Sequence, residues 1–70
     1  MLPLNYSDIG EENTIRRISG SPEIKKHLED MGFVVGSNVT VISRLGGNVI
    51  VRVKESRVAI NEDLARRIMV

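Results

Sequence analysis

The amino-acid sequence predicts a small, mainly β fold, an antiparallel barrel of short strands with one helix inserted among them. Three observations carry this prediction. Residues 39–60 read as β-branched runs separated by turn residues, residues 21–33 hold one helix with a start and a stop signal, and the 70-residue chain has no cysteine and no long apolar run. A domain of this length buries only about 60% of its unfolded surface and builds a core worth roughly 3–5 kcal/mol. Every element must therefore contribute to one core.

The N-terminal stretch Thr14–Ser19 reads as extended, but Ile15 and Ile18 stand three apart and break strict alternation, for which a bulge or a short 3-10 twist is the simplest cure. The helix comes next, over about residues 22–31. Ser21 can accept a hydrogen bond from a first-turn amide, and Pro22 suits the first helical position because its φ is fixed and it has no N–H to leave unpaired. Ile24, Leu28 and Met31 then form one apolar stripe, and Gly32 can take the left-handed conformation that ends a helix while Phe33 packs back on Leu28. Two turns are unstable alone, so the stripe must dock on the rest of the chain.

Beyond the helix the period changes to two. Val39, Val41, Ser43 and Leu45 alternate with Thr40, Ile42 and Arg44, then Gly46-Gly47 interrupts, and Val49, Val51 and Val53 alternate with Ile50, Arg52 and Lys54. That is a hairpin, since paired glycines accommodate the positive φ of tight turns. After the polar break Lys54–Arg57, Val58-Ala59-Ile60 reads as a third strand of a meander. Ile42 and Ile50 fall on the face opposite the valines, so the sheet should curl into a small barrel. Asn61 can cap a short helix over about 62–67, with Glu62 and Asp63 in its first turn and Arg66 and Arg67 in its last, matching the helix dipole. Met69-Val70 should pair as a closing strand.

Composition narrows the function classes. The chain lacks a candidate membrane span and a signal-peptide pattern, and the missing cysteines fit a reducing compartment. Net charge is only +1, but residues 1–13 carry Asp8, Glu11 and Glu12 against no base, while residues 44–57 carry Arg44, Arg52, Lys54 and Arg57 against Glu55 alone. Charged outward positions are ordinary on half-buried sheets, and that plain reading stands beside a basic patch at Arg52, Lys54 and Arg57. His27 with Glu23 and Asp30 at helical spacing would make at most a weak surface metal site, and no nitrogen-sulfur site can form. With one histidine, no cysteine and no phosphate-binding loop, catalysis is not expected. RNA binding is the rival reading of the basic cluster. It lacks stacking platforms, because Tyr6 and Phe33 are the only aromatic residues and Phe33 belongs in the core. A protein-binding module instead needs exposed apolar residues, for which Leu45 and Val34-Val35 are the candidates.

The pattern Ile15-x-x-Ile18-x-Gly20, Leu28-x-x-Met31-Gly32-Phe33-x-x-Gly36-x-x-Val39-x-Val41, Leu45-Gly46-Gly47 and Ala65-x-x-Ile68-x-Val70 resembles the FeoA family, the small cytoplasmic component of bacterial ferrous-iron uptake. The resemblance implies an SH3-like barrel forming a single domain over residues 1–70, without a cofactor or reaction of its own. It implies a partner, FeoB, the membrane ferrous-iron transporter with a cytoplasmic GTP-binding domain. The membrane is then reached only through that transporter, no stable nucleic-acid complex is expected, and self-association is left open. Arg44 and Leu45 at the hairpin tip, with Met31 and Phe33 at the helix end, are the expected contact residues. The C-terminal domains of metal-dependent repressors look like this family too, which leaves a free-standing relative of such a domain as a further alternative. The chain departs from the family pattern at Arg44 and Asn48, where prolines are usual. It also has Ser7 in place of an apolar residue, so that Tyr6 or Ile9 is expected to fill the core.

Overall fold

A computed structural model describes all 70 residues. The chain runs through a 3-10 turn (Leu4–Tyr6), β1 (Glu12–Thr14), β2 (Arg17–Ile18), α1 (Pro22–Asp30), β3 (Asn38–Leu45), β4 (Asn48–Val53), β5 (Ser56–Asn61), α2 (Glu62–Ala65) and β6 (Ile68–Met69). All strand pairs are antiparallel. They form a four-stranded sheet in the order β1-β3-β4-β5 and a two-stranded sheet of β2 with β6.

Residues 14–19 contain neither a bulge nor a 3-10 turn. The extended chain changes sheets between Thr14 and Arg17, leaving β3 as its partner and joining β6. Ile15 lies at the change and is clamped by two backbone hydrogen bonds, Ile15 N–H to the Ser37 carbonyl and Gly36 N–H to the Ile15 carbonyl, both 2.8 Å. The three-residue spacing of Ile15 and Ile18 thus reflects two sheets closing on one core.

Helix α1 begins where its cap requires, with the Ser21 hydroxyl accepting from Ile24 N–H at 3.3 Å. It ends in a complete Schellman motif. Phe33 N–H donates to the Leu28 carbonyl at 3.0 Å and Gly32 N–H to the Glu29 carbonyl at 2.9 Å, with Gly32 at φ +103. Leu28 and Phe33 are both fully buried. Helix α2 is shorter than the sequence suggests. Asn61 Oδ1 caps Leu64 N–H at 2.8 Å, but the helix stops at Ala65, and Arg66 and Arg67 form the turn that feeds β6. Arg66 still pairs with Glu62 and Asp63 from that turn. The closing strand is Ile68–Met69, and Val70 exchanges two 2.9 Å backbone hydrogen bonds with Leu2.

The meander carries one register shift, a bulge between Val41 and Ser43. Before it, Val39 and Val41 face the core opposite Val53 and Val51. After it, Arg44 lies opposite the buried Val49 and takes a core-side position, while Leu45 is turned to the other face. The β3–β4 turn has positive φ at Gly46 alone (+61), as a type II′ turn requires. The β4–β5 turn is built from Lys54 and Glu55, at φ +47 and +66, an uncommon pair of left-handed residues without glycine.

One cluster of 12 buried apolar residues holds both sheets and both helices together, with Phe33 the largest member. Leu4 anchors the N-terminal segment in it. Tyr6 and Ile9 do not fill the core, as they are 68% and 57% exposed, and Ser7 itself is buried. The 3-10 turn directs Leu4 inward, and Tyr6 within the same turn projects away from the core.

Candidate partner-binding surfaces

The bulge decides what the β3–β4 hairpin tip can offer. The Arg44 guanidinium donates through Nη2 to the Asn5 carbonyl at 2.9 Å and to the Ser7 carbonyl, tying the N-terminal segment to β3. Arg44 is thereby a clasp within the chain and not a free contact residue at the tip. Leu45, by contrast, is 73% exposed. The two residues expected to act together face opposite sides of the sheet.

The end of α1 offers a different surface from the one expected. Met31 is half-buried and Phe33 is fully buried, so neither projects outward. Phe33 instead underlies an open groove of about 320 Å³ lined also by Ile18, Lys25, Glu29, Val34 and Val35. Val35 is 59% exposed beside it. Sequence reasoning had Val34 and Val35 as candidates but missed Ile18, Lys25 and Glu29. The spacing of Lys25 and Glu29, four apart on one helix flank, was the available signal. Neither residue belongs to an ion pair; the neighbouring pair on the helix is Lys26 with Asp30 at 3.6 Å.

Arg52 and Arg57 are directly opposite each other across β4 and β5, and Lys54 lies in the connecting turn. All three are exposed, and none joins an ion pair. At the other end, Asp8 and Glu11 line a small pocket of mixed character, about 130 Å³, with Leu2, Tyr6, Ser7, Asn13 and Val70. His27 is exposed on α1, and no group of three or more His, Cys, Asp or Glu side chains converges to hold a metal ion. No helix is long and apolar enough to cross a membrane.

These surfaces belong to a known type of chain. The FeoA domain model matches residues 2–70. A Methanocaldococcus jannaschii protein named "Putative Fe(2+) transport protein A" is 37% identical over 70 residues, covering 100% of this chain and 85% of that one. The crystal structure of an iron uptake regulatory protein, FeoA, superposes with a TM-score of 0.89 at 30% identity, covering 97% of this chain and 92% of that chain. A Stenotrophomonas maltophilia FeoA crystallised with zinc and described as an SH3 domain protein has a TM-score of 0.84 at 20% identity, over 99% of this chain and 88% of that chain, a likeness of fold. A manganese-dependent transcriptional repressor shares the fold as well, with a TM-score of 0.85 at 23% identity over 94% of this chain but 38% of that chain. With a family model spanning nearly its whole length and an SH3-like architecture shared with solved members, this chain belongs to the FeoA family.

Proposed function

We propose that this protein is a cytoplasmic accessory of ferrous-iron uptake that acts by binding an FeoB-like transporter on its GTP-binding domain, with no reaction of its own. The observation that supports it is the apolar groove of Ile18, Val34 and Val35 over Phe33, in a chain of the FeoA family. A groove with an apolar floor and one charge of each sign on its rim, Lys25 and Glu29, suits a partner surface better than a small polar ligand. Leu45 is a second apolar contact, isolated on the hairpin tip.

Calorimetric titration with the purified cytoplasmic domain of such a transporter tests the reading. Burying an exposed valine or leucine at an interface stabilises by about 1–2 kcal/mol, so Val35→Ser and Leu45→Ala should each weaken binding by roughly tenfold. Absence of binding by the parent protein would overturn the function, and unchanged affinity in both variants would overturn the surface.

A further inference from the structure

We infer that the outer edge of β5 is a strand-addition site for an extended, acidic segment of a partner protein, recognised through the backbone of Arg57 and Ala59 and the unpaired arginines beside it. This goes beyond the proposed function and does not depend on which protein the partner is.

The first observation is the edge itself. β5 is the terminal strand of the four-stranded sheet and pairs with β4 over six residues without a register break. The Glu62 N–H to Gly47 carbonyl bond (3.0 Å) continues the ladder past Asn61 and fixes its parity. Ser56, Val58 and Ile60 therefore bond to β4, and the N–H and C=O groups of Arg57 and Ala59 point away from the sheet. No backbone hydrogen bond outside the ladder uses any residue of β5. Natural edges are usually blunted by proline, a bulge, shortness or charged side chains; β5 has no proline and no bulge, runs for six residues, and carries Arg57 as its one charged residue.

The second observation is charge. Arg52 and Arg57 form a directly opposed pair of the kind whose side chains lie closest, where like charges are destabilising. No carboxylate compensates them. The sheet thus carries a repulsion at the free edge that an acidic side chain on an added strand would relieve. The same face continues from Arg57 to the small, exposed Ala59, whose neighbour Ile50 is half-buried. An antiparallel added strand would place an acid opposite Arg57 and, two residues earlier, an apolar side chain opposite Ala59 and over Ile50. The pattern recognised is apolar-x-acid.

The probe is the blocked peptide Thr-Thr-Val-Thr-Glu-Thr-Asp, titrated into labelled full-length protein while amide shifts and amide hydrogen exchange are followed. Saturable shifts centred on Arg57 and Ala59, with slowed exchange of both amides, are expected. Arg57→Glu should weaken binding by roughly tenfold or more, and replacing the peptide's Glu by Lys should restore it to that variant. Ala59→Pro removes an outward donor without touching the β4 ladder and should also abolish binding. Should that variant fail to fold, exchange of the Ala59 amide in the parent complex decides. Unchanged exchange there would overturn the proposal, as would a short RNA that shifts Arg52 and Arg57 equally well and is indifferent to Ala59→Pro. Concentration-dependent protection of Ala59 without peptide would overturn it in favour of a second copy of this chain.

Discussion

Replacing Arg44 by alanine should unfold the protein more easily, although the side chain lies on an exposed hairpin. The substitution removes the two charge-assisted hydrogen bonds to the Asn5 and Ser7 carbonyls and loosens the segment around them, which the Gly10 N–H to Val41 carbonyl bond still ties to β3. Hydrogen bonds to charged groups contribute about 1.5–3 kcal/mol when shielded, and less where water competes. One of the two is part-buried and the other exposed, so the expected loss is about 1–3 kcal/mol. A chain of 70 residues is stable by only about 3.5–10 kcal/mol. At roughly 4–8 °C per kcal/mol, the loss lowers Tm by about 5–20 °C. Urea and thermal denaturation followed by circular dichroism give both quantities. Leu45→Ala is the matched control, one residue away and on the opposite face, and should stay within about 0.5 kcal/mol of the parent. Arg44→Lys keeps the charge but not the fixed planar geometry that aims Nη2 at both carbonyls, and should fall between the two. An Arg44→Ala protein as stable as the Leu45→Ala protein would refute the clasp.

Gly32→Ala tests the helix ending. A Cβ there would meet Val53 at an ordinary 3.7 Å, so the cost comes from the positive φ and should be about 1–3 kcal/mol in denaturant melts. The β4–β5 turn works in the opposite direction: the double substitution Lys54→Asn with Glu55→Gly supplies residues suited to two positive φ values and should raise stability by about 1 kcal/mol in the same assay.

What was legible in the sequence was whatever is decided locally. The Ser21 cap, the Gly32 ending and the Asn61 cap each depend on groups a few residues away, and all three form as their residue types require. The small antiparallel barrel followed from the same local signals, and its SH3-like class from the family resemblance. What escaped was decided by distant partners. Val39, Val41, Ser43 and Leu45 alternate without a visible break, yet the bulge at Ile42 reverses the pattern, and Arg44 finds its acceptors at Asn5 and Ser7, far away along the chain. Ile15 sits where the chain changes sheets and Ile18 lies in the second of them, which no local pattern records. The groove draws on β2, α1 and the segment after it, so its lining could be assembled only once those elements were placed. Tyr6 and Ile9 were misplaced because Leu4, held by the 3-10 turn, already occupies the core site.

On the function proposed above, this FeoA-family chain works through a protein surface rather than through a metal or nucleic acid. The direct test is an amide-resonance map of the labelled protein titrated separately with the cytoplasmic domain of an FeoB-like transporter, with Fe²⁺ and with RNA. Shifts from the transporter domain at Ile18, Lys25, Val34, Val35 and Leu45, with neither other titrant producing saturable shifts, are the result expected. Shifts from RNA at Arg52, Lys54 and Arg57, or from Fe²⁺ at stoichiometric addition, together with silence from the transporter domain, would contradict it.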